Sequence, residues 1–190
     1  MKKIAVMVSG SGSNLEAIVK ACHEKNIYGE IVYVISNNPD AYGIERAKKY
    51  NIPVKIIDHK SYTDRDDFDD ALKDFLDNLE IDLIILAGFM RILGKNITEK
   101  FYGKMINLHP SLLPLYPGLN THTQALNNKD EYHGISIHFV SAELDAGPLI
   151  AQGKFLVKAD DDLEKLVSKI HKVEHDLLPK VINELCTNNI

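Results

Sequence analysis

A chain of 190 residues in which 45% of side chains are hydrophobic and 26% are charged can bury one sizeable core, and a single domain spanning 1–190 is the expectation. Its formal net charge of −5 leaves no uniformly positive face for nucleic acid phosphates, and neither a bilayer-spanning apolar run nor the charge blocks of a disordered segment is present. Two cysteines, Cys22 and Cys186, suit reduced thiols better than a disulfide framework or a four-ligand zinc site, so the expected compartment is cytoplasmic, with no metal, nucleic acid or membrane partner.

The first element is a buried strand over Lys3 to Val8, cut short by Ser9-Gly10-Ser11-Gly12-Ser13-Asn14 before a helical pattern begins at Leu15. A glycine-rich turn between a strand and a helix lets the backbone approach an anion, where the free N–H groups and dipole of the helix favour negative charge. A plain turn capped by Ser13 or Asn14 is the competing reading. The loop lacks the Gly-Lys-Ser/Thr of a P-loop, and Leu15 occupies the last glycine position of a dinucleotide fingerprint. The second strand leads to Ser36-Asn37-Asn38, without the ribose-reading carboxylate of an NAD site, so a lone phosphate group fits better than a dinucleotide.

Further strands are predicted at Glu30 to Ser36, Val54 to Ile57 and Ile81 to Ala87, the last apolar on both faces as in a covered parallel sheet. With helices in the gaps, the class is α/β, an open twisted and mostly parallel sheet with helices on both faces. Met105 to Leu108 and Gly134 to Val140 extend the sheet, and the second sets Ile135, Ile137 and Phe139 against Ser136 and His138. Asn107 and His109, two apart at a strand end, share a face, and Pro110, Pro114 and Pro117 stiffen the loop beyond them. A structural histidine beside a turn is the alternative there. From Asp161, Leu163, Leu166, Val167, Ile170, Val173 and Leu177 mark an amphipathic closing helix, capped by Asp161 or Asp162 and expected to kink or restart at Pro179.

Asn107-Leu108-His109-Pro110-Ser111-Leu112-Leu113-Pro114, together with Ser9 to Asn14, Ala87 to Leu93 and Leu144-Asp145-Ala146-Gly147-Pro148, resembles the folate-dependent formyltransferases over nearly the whole chain. The Asn-x-His-Pro segment is common to that family and to a related formyl-folate hydrolase, whereas the glycine loop is closer to the branch acting on phosphoribosylglycinamide and to the hydrolase. The resemblance implies a Rossmann-like formyltransferase fold, with phosphate and substrate binding in the N-terminal part and folate binding in the C-terminal part. It implies formyl transfer from 10-formyltetrahydrofolate to the amine of phosphoribosylglycinamide, a step of purine synthesis with small-molecule partners.

By the same resemblance Asn107, His109 and Asp145 form a catalytic trio. Asn107 donates to the oxyanion, His109 protonates the departing folate nitrogen and Asp145 holds His109 cationic. Gly12, Ser13 and Asn14 would hold the ribosyl phosphate and Glu174 the glycinamide amine. Arg65 would meet the folate tail, while Met90, Arg91, Ile92, Leu93, Asn107 and Val140 would surround the pteridine. His138 is a secondary candidate beside the trio, and a structural histidine otherwise. For Arg65 the plain reading is a helix-surface charge, for Ile92 and Leu93 core packing, for Asp145 an exposed loop carboxylate and for Glu174 a solvated helix face. His122 and His133 lie in no zinc-like cluster.

Two other activities compete. The hydrolase would use the same trio with water as acceptor, but its relatives carry an N-terminal regulatory domain for which a sheet beginning at Lys3 leaves no room. A tRNA-directed formyltransferase would need a further basic C-terminal domain. A non-catalytic nucleotide-binding module would use the glycine loop and leave the trio unexplained.

Overall fold

The computed structural model describes residues 1–188. Its strands are β1 (Lys2–Val8), β2 (Gly29–Ser36), β3 (Val54–Ile56), β4 (Leu83–Leu86), β5 (Met105–His109), β6 (Tyr132–Phe139) and β7 (Leu149–Leu156). Its helices are α1 (Ser13–His23), α2 (Tyr42–Lys49), α3 (Arg65–Asp77), α4 (Lys95–Lys100), α5 (Thr121–Asn127) and α6 (Leu163–Thr187). The strands form one sheet in the order β3-β2-β1-β4-β5-β6-β7. Pairing is parallel from β3 to β5 and antiparallel from β5 to β7.

Strand alternation explains the two cores. Ile4, Val6 and Val8 of β1 pack on one face with Leu15 and Ile18 of α1 and with Ile182 of α6, whereas Ala5 and Met7 face Leu72 and Leu76 of α3 and Ile97 of α4. Because both faces are covered, β4 is apolar at every position and fully buried. That strand is shorter than the apolar run from Ile81 to Ala87: Asp82 precedes it, donating its N–H to the Lys3 carbonyl at 3.0 Å while its carboxylate accepts the Lys3 N–H at 2.8 Å.

Sequence and structure differ in three further places. β7, with no predicted counterpart, is an edge strand whose exposed Leu149 and Leu156 blur the inside-outside contrast. β6 begins at Tyr132, two residues before the predicted start. The helix does not restart at Pro179, because α6 runs unbroken through it. Pro179 cannot donate to a carbonyl one turn back, yet the flanking Leu178, Val181 and Ile182 are buried in the core, and that burial outweighs the lost bond. Asp162 caps α6 as expected, its carboxylate accepting the Lys165 N–H at 2.8 Å. Of the C-terminal tail, Asn189 and Ile190 lie outside the described residues.

Candidate active site

The antiparallel pairing of β5 with β6 sets Asn107 opposite His138 and His109 opposite Ser136. These side chains share the face away from Ile106, Leu108, Ile135 and Ile137, which belong to the core beneath α1 and α6. Across the strands the Asn107 amide nitrogen meets His138 Nε2 at 3.2 Å, while His138 Nδ1 lies 2.9 Å from the Phe139 carbonyl. A carbonyl only accepts, so Nδ1 carries a proton; in the neutral ring Nε2 accepts from Asn107, and a proton on Nε2 would instead face the Asp145 carboxylate. Ser136 fixes the proline-rich loop: its hydroxyl accepts the Leu113 N–H at 2.9 Å and donates to the Ser111 carbonyl at 2.7 Å.

Asp145 arrives from the loop after β6 with a left-handed φ of 51°, a conformation aspartate tolerates better than most residues. Two residues on, Gly147 passes so close to β6 that a Cβ there would collide with the Phe139 carbonyl oxygen, so only glycine fits. The Asp145 carboxylate receives the Asn107 amide at 3.2 Å and the Gly118 N–H at 2.8 Å. It also lies 3.3 Å from His109 Nδ1 and 3.7 Å from His138 Nε2. Burial pushes its pKa up, but the facing His138, the Gly118 N–H and His109 more than offset this and hold it below the usual carboxylate value.

His109 is 4% exposed and engaged at both nitrogens: Nδ1 faces Asp145, and Nε2 lies 2.8 Å from the Tyr116 carbonyl. Both partners are acceptors, so the geometry accommodates a ring with a proton on each nitrogen. The structure thus gathers Asn107, His109 and His138 around Asp145, each within hydrogen-bonding or ion-pairing reach of its carboxylate. Composition and spacing missed the two backbone groups that complete the cluster, the Gly118 N–H and the Tyr116 carbonyl, because any residue at those positions presents the same atoms.

The cluster borders a cavity of ≈ 630 Å³ whose wall includes Met90, Arg91, Ile92, Leu93 and Val140. That volume suits a small organic molecule, and the exposed Met90 and Ile92 offer it apolar surface. Arg91 contributes a buried Nε with no hydrogen-bond partner among the described residues, a donor that a polar ring edge would satisfy. Arg65, also expected on the folate side, does not line this cavity. It stands behind the wall at Gly94, with Nε 3.6 Å from an oxygen of Asp69.

The glycine loop sits at the opposite end of the wall. Ser9 joins them: its N–H donates to the Gly88 carbonyl at 3.1 Å, and its hydroxyl accepts the Met90 N–H at 2.7 Å. Gly12 is the N-cap of α1 with φ 70°, and a Cβ on it would come 2.6 Å from Cα of Gly43. Ser13 and Asn14 therefore lie inside the helix rather than capping it, and their N–H groups precede the first backward bond, from Glu16 to Gly12. Arg46 braces the loop by donating to the Ser11 carbonyl at 2.8 Å and pairing with Glu16. Asn14 and Glu174, far apart in sequence, meet at 3.1 Å through the Asn14 amide. Glu174 is 6% exposed, so it is not the solvated face of α6, and burial raises its pKa against the opposing pull of Asn14.

The family model described as formyl transferase matches residues 2–182. The chain is 44% identical over 182 residues to a phosphoribosylglycinamide formyltransferase of Haemophilus influenzae, covering 96% of this chain and 86% of the relative. It is 40% identical to one of Bacillus subtilis, covering 97% and 95%. Among solved structures, a phosphoribosylglycinamide formyltransferase of Bacillus halodurans superposes with a TM-score of 0.95 at 35% identity, covering 100% of this chain and 97% of that one.

Proposed function

The chain belongs to the formyl transferase family, and we propose that it moves the formyl group of 10-formyltetrahydrofolate onto the amine of phosphoribosylglycinamide. The products are formylglycinamide ribonucleotide and tetrahydrofolate, in purine biosynthesis. The observation that carries the assignment of the chemistry is the closed cluster of Asn107, His109 and Asp145 at the cavity wall.

In this reading the cavity takes the folate, with Met90 to Leu93 and Val140 about the pteridine and Arg65 at the tail beyond Gly94. The α1 terminus at Gly12, Ser13 and Asn14 takes the ribosyl phosphate, and Glu174 the glycinamide amine. The amine nitrogen attacks the formyl carbon, a new C–N bond forms, and the carbonyl oxygen becomes an oxyanion. Asn107 is the oxyanion donor. Both of its amide hydrogens are committed, to Asp145 and His138, so one must turn to the substrate as the reaction proceeds. The bond from the formyl carbon to the folate nitrogen then breaks. His109 supplies that nitrogen with a proton by giving up one of its two bonds, and the proton lost by the amine restores the ring. Asp145, held ionised, orients the imidazole and offsets its charge. His138 positions Asn107. The activity belongs to one domain of 1–190 in the cytoplasm, and none of these steps requires a metal or nucleic acid.

The test follows formyl release from 10-formyltetrahydrofolate with phosphoribosylglycinamide present and with it withheld. Release that depends on the amine and yields its formylated product is the expected result. Equal release into water would make the protein a hydrolase, and none in either case a binding module.

A further inference from the structure

The wall that meets the folate in the proposed function is anchored from outside the cavity. Its last residue, Leu93, is followed by Gly94, the N-cap of α4, whose N–H donates to Asp69 Oδ2 at 2.6 Å. The same oxygen lies 3.6 Å from Arg65 Nε, one turn earlier on α3. Asp69 is 4% exposed, and its other oxygen, Oδ1, is buried with no hydrogen-bond partner among the described residues.

Leaving a carboxylate oxygen unbonded in a core is costly, and a neutral acceptor could have served Gly94 alone. Retaining the acid at this position is explained if it serves the backbone and a cation together. The packing is tight enough to admit little slack: a Cβ on Gly94 would stand 2.8 Å from Asp69 Oδ2 and 3.4 Å from Arg65 Nη2.

Resting on the proposed function, we propose that Asp69 is the positioning residue of the folate site: one oxygen fixes the end of the Met90–Leu93 wall and sets the Arg65 guanidinium for the anionic tail of the donor. The Arg65 side chain is 45% exposed, so it can pair with a carboxylate outside while one edge stays against Asp69. Asp69 acts through these groups and touches no substrate itself. Burial raises its pKa, opposed by the Gly94 N–H and by Arg65, so its charge depends on the partners it holds.

The experiment compares the intact parent protein with D69A, D69N, G94A and the double variant D69A/G94A, each checked for cooperative unfolding. It measures the KM for the formyl donor, the KM for the amine, and the Kd for a folate analogue with and without its glutamate tail. D69A should raise the donor KM and the analogue Kd by about tenfold, leaving the amine KM within about twofold. D69N, which keeps a carbonyl acceptor for Gly94 but loses the charge beside Arg65, should recover affinity for the tail-less analogue and remain weak towards the tailed one. The G94A change alone should mimic D69A, yet add nothing once Asp69 is gone, because the Cβ then has room. An unchanged analogue Kd in folded D69A, or equal losses for donor and amine, would overturn the proposal. If the parent transfers no formyl group, the proposed function fails, while the analogue Kd series still decides the role of Asp69.

Discussion

At the residue scale the site is a set of commitments made before substrate arrives, and the neighbouring histidines show what burial without a charge partner does. His133 is 1% exposed and its Nε2 lies 2.9 Å from His122 Nδ1. Burial, reinforced by His122, pushes the His133 pKa down to about 4. Between the ordinary imidazole value of about 6.5 and that lowered one, the unfolded chain takes up a proton that the folded ring refuses, so stability present at neutral pH is lost as pH falls. The full effect is on the order of 3 kcal/mol. Urea midpoints at pH 7 and pH 5 check this, and His133→Gln should lose less stability between the two than the parent. An equal loss in both would assign the acid sensitivity elsewhere. The family resemblance, not spacing, singled out Asn107, His109 and Asp145 in the sequence, and the structure brings the three together. The partners were not legible: the Tyr116 carbonyl and Gly118 N–H have no residue signature, and Asp69 reads as one more acid in a helix rich in them.

At the element scale, alternation and helical spacing exposed every strand from β1 to β6 and the closing helix, because those elements contrast a buried face with a polar one or are apolar throughout. β7 escaped because an edge strand has only one paired side, and its apolar ends at Leu149 and Leu156 face outward. The expected restart at Pro179 is missing because a local rule met a tertiary override. The override makes a prediction. In Pro179→Ala the helix regains a donor for the His175 carbonyl one turn back and sheds the ring's steric clash, so stability should rise by about 1–3 kcal/mol and Tm by several degrees. A thermal melt checks it, and a Tm at or below that of the parent would mean that α6 has adapted to the proline.

At the scale of the whole molecule, chain topology does what no local pattern specifies. Running the parallel sheet outward from β1 leaves the glycine loop, the Gly88–Leu93 wall and the end of β5 at one edge, where open α/β sheets present their ligands. Folding α6 back over α1 then brings Glu174 to Asn14. The glycine loop, the Asn14–Glu174 pair and the cavity wall thereby fall at one edge of the sheet, and the cluster around Asp145 borders the cavity. In the proposed reaction everything turns on the role of His109 as the proton donor of this cluster. It is tested most directly by the kcat of His109→Ala with both substrates saturating. A fall of about a hundredfold to ten-thousandfold is expected, with both KM values changed by no more than a few fold. A variant that transfers the formyl group at close to the parent rate would contradict it.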